Sequence, residues 1–210
     1  MYILIFTKIS KNILLIIRNK HNDNKYLNQK LIICVIGLPG AGKSLFCSVS
    51  NELGFSIINM GDQVRKEIKK QGLSDDAETL SKMMVKLRKE NGRSAIANIC
   101  IPIIKKSQNK HIIIDGIRNI EEIKQFQKIG KVISILIINT TERRMNFLID
   151  RGRKDAPLNK KSFKKRDEKE INIGLEKVMK ITDIKINNNR LTKEEFKIKS
   201  KQILLKLIKK

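Results

Sequence analysis

Short runs of apolar residues alternate with longer amphipathic stretches from residue 31 onward. The apolar runs predict strands over residues 31–36, 55–60, 112–114, 132–138 and 183–186. The stretches between them repeat apolar positions at helical spacing and predict helices over residues 43–53, 63–71, 76–91, 94–106, 121–129, 142–150 and 164–180. Strands that alternate with helices are typical of a parallel sheet with helices on both faces. We therefore predict an α/β fold built on a five-stranded parallel sheet.

The first residues of the chain fall outside this pattern. Residues 1–17 are strongly apolar, but Lys8 and Lys11 interrupt them. A spanning helix needs about 20 apolar residues with few charges, and a signal peptide needs a small-residue cleavage site after its apolar part. We therefore expect no transmembrane span and interpret residues 1–30 as an N-terminal extension of unknown role, from an upstream start codon or as a weak surface helix.

The last residues predict one more helix. Thr192 and Glu195 have the spacing of a capping box, in which each side chain binds a backbone N–H at the start of a helix. The segment 191–210 is rich in lysine, and one side of the predicted helix is apolar, formed by Ile203, Leu204, Leu207 and Ile208. We expect this apolar side to pack on the core of the protein, not on a membrane.

A glycine-rich turn follows the first predicted strand directly. Residues 31–44 read LIICVIGLPGAGKS, and the turn matches G-x-x-x-x-G-K-[ST], the phosphate-binding loop of nucleotide enzymes. Small residues let backbone N–H groups wrap an anion, and the following helix adds its positive N-terminus. Lys43 then reaches the β- and γ-phosphates, and the Ser44 hydroxyl binds Mg²⁺. The predicted nucleotide site comprises Gly37, Leu38, Pro39, Gly40, Ala41, Gly42, Lys43 and Ser44.

The charge of the chain is strongly positive. It has 45 basic and 21 acidic residues, which give a formal net charge of +24. Such an excess attracts polyanions, among them nucleic acid, anionic membranes and phosphorylated metabolites. Lysine outnumbers arginine and is spread along the whole chain together with many isoleucines and asparagines, which is typical of AT-rich coding. We favour this compositional bias as the explanation and keep nucleic-acid binding as the alternative.

The cysteines and histidines argue for a reducing compartment. Cys34, Cys47 and Cys100 each lie in an apolar stretch, and no C-x-x-C pair is present. An odd number of cysteines without metal-ligand spacing predicts buried, reduced thiols in a cytoplasmic protein. With only two histidines, a histidine-based metal site is not expected.

Charged residues follow the second and third predicted strands, where ligands bind in parallel sheets. Asp62 and Arg65 lie one helical turn apart, so both can face the same crevice. Either Arg65 clamps the phosphate of an acceptor and Asp62 accepts a proton from the attacking group, or Asp62 caps a helix and Arg65 is a surface charge. Asp115 either holds Mg²⁺ through water while Arg118 points to the acceptor, or the pair forms a turn and a cap. For Asp115 we favour the metal role, because a phosphate loop requires an acid on its metal side.

Arginines concentrate after the fourth predicted strand, although arginine is the scarcer cation in this chain. Four of them fall within eleven residues: Arg143, Arg144, Arg151 and Arg153. Because guanidinium groups match phosphate oxygens bidentately, they predict a lid that closes over ATP, and Arg166 joins them. The alternative is a solvated basic helix face. Asn187, after the fifth strand, either meets the adenine edge or is an ordinary loop residue.

Together these segments resemble the nucleoside monophosphate kinase superfamily. GLPGAGKS is similar to the adenylate kinase phosphate loop, GDQVR to its G-D-x-x-R segment and DGIR to its D-G-F-P-R segment. The motifs IxMGDxVR, IDGIR, RGRxD and R-D-x-x-E most resemble a small archaeal family of P-loop kinase-like proteins close to adenylate and dephospho-coenzyme A kinases. The resemblance covers residues 31 to about 190.

The resemblance implies roles for the candidate residues. The phosphate loop would bind ATP, Asp115 would support the metal, and Arg65 and Arg118 would approach the acceptor. Arg151 and Arg153 would contact the transferring phosphate. DGIR is one residue shorter than its adenylate kinase counterpart, which weakens the case for AMP as the acceptor.

The implied layout is a kinase-like domain over residues 31–190, with an acceptor-binding insert over about 62–107 and a short lid over about 151–163. The predicted activity transfers the γ-phosphoryl group of ATP, with Mg²⁺, to a small phosphorylated acceptor that is nucleotide-like or a coenzyme A precursor. An RNA-associated ATPase and an ATP-binding protein without turnover are the alternatives. Neither the acceptor nor an oligomeric state follows from the sequence.

Overall fold

A computed structural model describes residues 29–151 and 159–209 of the chain. Five parallel strands form one sheet in the order β2-β3-β1-β4-β5. They are β1 (Lys30–Ile36), β2 (Ser56–Asn59), β3 (His111–Asp115), β4 (Gly130–Ile138) and β5 (Ile184–Asn187). The predicted α/β fold with a five-stranded parallel sheet is therefore confirmed.

The helices connect the strands on both faces of the sheet. Within the described residues they are α1 (Lys43–Glu52), α2 (Met60–Lys70), α3 (Ala77–Asn91), α4 (Ala95–Lys106), α5 (Ile120–Gln127), α6 (Thr141–Asp150), α7 (Lys160–Ile173), α8 (Leu175–Lys180) and α9 (Lys193–Ile208). Short polar side chains start several of them by accepting a backbone N–H of the first turn, namely Asn59, Asp76, Asn119, Thr140, Asn159 and Thr192. The predicted capping box of Thr192 and Glu195 is among them.

The central strand is buried on both faces. Because side chains of a strand alternate in direction, Ile32, Cys34 and Ile36 of β1 pack with α2, α3, α4, α5 and α8 on one face. Leu31, Ile33 and Val35 pack with α1 and α9 on the other. Leu204 of α9 is fully buried there, so the apolar side of the last helix packs on the core as expected.

The strand order places the functional edge of the sheet. β1 lies between β3 and β4, so the connections leave it in opposite directions and open a crevice beyond its carboxyl end. In the strand register, Asp115 at the end of β3 lies opposite Val35 of β1 and Asn59 of β2. The phosphate loop and the residues that follow β2 and β3 therefore meet at one edge.

Two predicted helices differ from those observed. The helix after β2 starts at Met60, and the side chain of Asn59 accepts the N–H of Asp62 at 3.2 Å, so the proposed capping role of Asp62 was wrong. The single helix predicted over residues 164–180 is two helices, since Gly174 has φ +123°, a left-handed conformation that interrupts the helical hydrogen bonds.

The three cysteines are free and buried, as predicted. Burial raises the pKa of Cys47 and of Cys100 to about 12 and raises that of Cys34 further. These thiols therefore stay protonated and unreactive at neutral pH.

Two sequence-based interpretations lie outside the described residues. The predicted N-terminal extension covers residues 1–30, of which only 29 and 30 are described. Most of the predicted lid over about 151–163, including Arg153, falls in the segment 152–158. Within the described ranges, no helix combines the length and apolar character needed to cross a membrane.

Candidate active site

A cleft of about 950 Å³ opens at the carboxyl edge of the sheet. The phosphate loop forms its floor, α2 and α3 form one wall, and α6, α7 and the loop after β5 form the other. It brings together most of the predicted site residues that the structure describes, including Lys43, Ser44, Asp62, Arg65, Asp115, Arg118, Arg151 and Arg166. The cleft therefore unites segments that are up to 159 residues apart in the chain, from Gly37 to Phe196.

The phosphate loop is packed tightly against the start of α6. Gly40 has φ +80°, and a Cβ atom added to it would overlap the backbone carbonyl oxygen of Arg144. Only glycine satisfies both the left-handed backbone and this close approach. The loop is therefore held in shape from behind by α6.

Gly40→Ala should weaken ATP binding at least about tenfold, because relieving the overlap must move the loop away from α6 and misdirect its N–H groups. Gly72 is the matched control, since its φ of +67° is also left-handed but a Cβ there meets nothing within 4 Å. Gly72→Ala pays only the backbone strain of about 1–2 kcal/mol and should keep the ATP affinity. Calorimetric titration of both variants with ATP measures this, and equal affinities would refute the packing argument.

Lys43 lies within the phosphate loop. Its Nζ donates hydrogen bonds to the carbonyl oxygens of Gly37 at 2.8 Å and Leu38 at 3.3 Å. Burial lowers the pKa of Lys43 from its ordinary value, while the carboxylates of Asp115 and Glu170 oppose the shift. A buried ammonium group held over the loop is suited to bind phosphate oxygens.

Asp115 ends β3 beside the phosphate loop. Its Oδ2 accepts a hydrogen bond from Asn59 Nδ2 at 3.0 Å, whereas its Oδ1 is buried and has no hydrogen-bond partner among the described residues. A buried carboxylate oxygen without a partner is costly unless it binds something else. With the Ser44 hydroxyl in the same cleft, this oxygen fits a hydrated Mg²⁺, which prefers oxygen ligands.

Arg65, predicted to approach the acceptor, lies close to two carboxylates. Its Nη1 lies 2.5 Å from Asp75 Oδ1, and its Nε lies 3.9 Å from Asp62 Oδ1. The Asp62 side chain is 65% exposed, so it faces solvent at the rim of the cleft. Asp62 therefore lies beside Arg65 at the rim of the cleft, where its carboxylate can orient the guanidinium group.

Arg118 is held by a carboxylate that the sequence analysis did not single out. Its Nε lies 2.6 Å from Glu170 Oε2, its Nη2 donates to Glu170 Oε1 at 3.0 Å, and its Nη1 donates to the carbonyl of Gly116 at 2.5 Å. Burial alone would raise the pKa of Glu170, but Arg118 and more weakly Lys43 hold it below its ordinary value. The pair is therefore fully ionised within the cleft.

Of the predicted lid arginines, Arg144 lies elsewhere. It is 3% exposed, stacks over the Phe163 ring at 4.8 Å, and donates to both carboxylate oxygens of Asp167 at 2.9 and 2.5 Å. It also donates to the carbonyl of Pro39 in the phosphate loop at 3.0 Å. Arg144 thus ties the phosphate loop to α6 and α7, and its grouping with the lid arginines was wrong.

The neighbouring Arg143 reaches the loop after β5, which also lines the cleft. It donates to the carbonyl oxygens of Asn189 at 2.7 Å and Leu191 at 2.8 Å, and lies 5.5 Å from the Phe147 ring centroid. It therefore fixes the loop after β5 that borders the phosphate loop.

The structure brings Asn188, not Asn187, to the cleft. Asn187 is exposed, and its Oδ1 accepts the N–H of Asn189 at 2.9 Å. Asn188 is buried, lines the cleft and donates from Nδ2 to the carbonyl of Ala41 at 3.0 Å. Alternation along β5 could have identified it, because Asn188 follows the buried Ile186 by two residues.

Comparisons with known proteins agree with this geometry. A family model described as an AAA domain matches residues 36–164. A UPF0200 protein of Hyperthermus butylicus is 32% identical over 178 residues, which cover 85% of this chain and 95% of the relative. A UPF0200 protein of Thermococcus sibiricus is 34% identical over 174 residues, which cover 80% of this chain and 92% of the relative.

Among solved structures, TT1252 from Thermus thermophilus has a TM-score of 0.61 and 13% identity, covering 86% of this chain and 99% of that one. Shikimate kinase from Acinetobacter baumannii in complex with shikimate has a TM-score of 0.53 and 14% identity, covering 85% of this chain and 94% of that one. At these identities the two structures share the fold. The predicted membership of a P-loop protein family is confirmed by the matching family model and by the two relatives.

Proposed function

Because this chain belongs to the UPF0200 family and contains an AAA domain, we propose that it is an ATP-dependent phosphotransferase that moves the γ-phosphoryl group to a small-molecule acceptor. The acceptor would be nucleotide-like or a coenzyme A precursor. One observation carries the proposal: the phosphate loop and a second subsite, walled by α2 and α3, share a single cleft. Hydrolysis by water needs no such second subsite, whereas transfer between two substrates does.

In this proposal the phosphate loop and Lys43 bind the β- and γ-phosphates. Ser44 and Asp115 would hold Mg²⁺, which neutralises phosphate charge when bound. Arg151, directly after α6, lies on the cleft wall. In this proposal it would contact the transferring phosphate. Arg65, Arg118 and Arg166 border the acceptor, with Asp62 orienting Arg65. The role of Arg153 stays a prediction from the sequence.

The buried, protonated thiols suit a reducing compartment, so we place this activity in the cytoplasm. In this proposal the acceptor binds on the side of the cleft that α2 and α3 border. Catalysis is positional: the groups named above fix both substrates in line and stabilise the charge that spreads over the phosphoryl oxygens.

Release of ADP from Mg²⁺-ATP, measured with nucleoside monophosphates, dephospho-coenzyme A or RNA added in turn, tests the proposal. We expect one class of small acceptor to accelerate ADP release and to appear as a phosphorylated product, and we expect EDTA to stop the reaction. Acceleration by RNA alone, falling steeply with salt, would support an RNA-associated ATPase instead. ATP binding without any ADP release would indicate a nucleotide-binding protein without turnover.

A further inference from the structure

The acceptor side of the cleft contains cations that carboxylates already neutralise. Arg65 pairs with Asp75 at 2.5 Å, and Arg118 pairs with Glu170 at 2.6 Å. Only the second pair is shielded from solvent, since the Arg118 and Glu170 side chains are 18% and 17% exposed. An ion pair in this environment is screened little by salt and resists exchange with a ligand anion.

Arg118 is fixed from behind as well as from the cleft. Its backbone N–H donates to Glu122 Oε2 at 2.8 Å, and the other oxygen of Glu122 accepts from Arg88 Nη2 at 2.8 Å. Its Nη1 donates to the carbonyl of Gly116 at 2.5 Å. Both ends of the residue are therefore anchored, and Arg118 cannot turn to a phosphate without losing Glu170.

Several apolar side chains lie in this part of the cleft. Leu80, Met84, Ile117 and Leu175 line it beside the Arg118–Glu170 pair. Lys43 and Arg166 lie near Glu170 and favour its charged form. A ligand bound between Arg118 and the phosphate loop therefore meets the Glu170 carboxylate, which accepts hydrogen bonds. It does not meet an unpaired Arg118 guanidinium group.

We propose that the acceptor attacks through an alcohol hydroxyl, which donates a hydrogen bond to Glu170. The same arrangement excludes a phosphate as the attacking group. The inference rests on the proposed phosphotransfer and deepens it by naming the acceptor chemistry. A phosphate at this position would face an ionised carboxylate at close range and would have to displace it from Arg118.

The transfer step balances with Glu170 as proton acceptor. The hydroxyl oxygen forms a bond to the γ-phosphorus while the bond from that phosphorus to the β,γ-bridging oxygen breaks, and ADP leaves with the electron pair. The hydroxyl proton passes to Glu170 late in the step, when the oxygen is bonded to phosphorus and strongly acidic, so a carboxylate of lowered pKa is basic enough. Glu170 then releases the proton to solvent.

AMP binding to the full chain tests the exclusion directly. The chain is first saturated with Mg²⁺ and adenylyl imidodiphosphate, a nonhydrolysable ATP analogue, and is then titrated with AMP by calorimetry. We expect Glu170→Gln to bind AMP at least about tenfold more tightly than the wild type, because Arg118 becomes free for the phosphate. Adding Arg118→Met to Glu170→Gln should abolish this gain. Glu168→Gln, an exposed change of equal charge on the same helix, should bind AMP like the wild type.

A wild type that binds AMP as tightly as Glu170→Gln would overturn the inference, as would a gain that survives Arg118→Met. A second measurement uses only the wild type and so does not depend on whether the variants fold. Incubated with Mg²⁺-ATP and AMP and followed by ³¹P NMR, it should convert no more AMP to ADP than a sample without protein. Efficient conversion would refute the alcohol acceptor while supporting phosphotransfer, whereas ATP binding with no transfer to any compound would refute the proposed function and with it the inference.

Discussion

Lys43→Ala is expected to lower the rate of ATP turnover by about a thousandfold, the scale on which a preorganised group that stabilises transition-state charge contributes. The Lys43 ammonium is buried within the phosphate loop, 2.8 Å from the carbonyl of Gly37, and alanine leaves no cation there. Steady-state ADP release with the best acceptor measures the loss in kcat and in kcat/KM.

The matched control for this variant is Lys201→Ala. Lys201 is exposed on α9, outside the cleft, and its replacement removes the same charge from the chain. We expect it to turn over ATP at the wild-type rate. Full activity in Lys43→Ala would show that the phosphate-loop assignment is wrong, whereas equal losses in both variants would point to the overall charge.

Arg144→Met is expected to destabilise the fold by about 3–5 kcal/mol, because it leaves the carboxylate of Asp167 partly buried without its cation. The loss extends to the phosphate loop, since the carbonyl of Pro39 loses its donor. Urea unfolding followed by far-UV circular dichroism measures the change, which suits a chain without tryptophan.

The double variant Arg144→Met/Asp167→Leu separates charge from packing. Removing both partners leaves no unpaired charge, so it should be more stable than Arg144→Met alone. An exposed pair provides the comparison: Lys82 and Glu78 are each 76% exposed, and Lys82→Met should leave stability unchanged within error. If Arg144→Met unfolds at the wild-type urea concentration, Arg144 does not hold the phosphate loop to α6 and α7.

The phosphate loop was predictable because its chemistry is local. Eight consecutive residues after a strand carry the whole motif, including Lys43, so the loop is recognisable without the distant contacts from Arg144 and Asn188 that pack against it. The parallel sheet likewise followed from alternating strands and helices, since crossover connections constrain such a sheet, whereas the order of its strands comes from the structure. Asp115 was predictable for the same reason, because it ends a strand beside the loop.

The charge pairs were not predictable, because their partners meet only in three dimensions. Arg118 and Glu170 are 52 residues apart, and Arg144 and Asp167 are 23 apart. Both carboxylates belong to the R-D-x-x-E stretch, which was noted as a motif but given no chemical role. The sequence predicts four arginines near ATP but does not say which of them face the cleft.

Two pairs of adjacent residues show that a shift of one position decides which side chain reaches the site. Arg143 and Arg144 are adjacent, but successive helical side chains point about 100° apart, so one reaches the loop after β5 and the other the phosphate loop. Asn187, the last residue of β5, is exposed, whereas the next residue, Asn188, is buried and lines the cleft. Composition and spacing identify such clusters, whereas the orientation of the element decides which member functions.

Calorimetric titration of the folded full chain with ATP and Mg²⁺ tests the central claim most directly, since every proposed role requires the triphosphate to lie in the loop beside Lys43 and Asp115. We predict saturable heat that corresponds to one nucleotide per chain and that is lost in Lys43→Ala. A chain that is folded by circular dichroism but releases or absorbs no heat with ATP and Mg²⁺ would contradict the account.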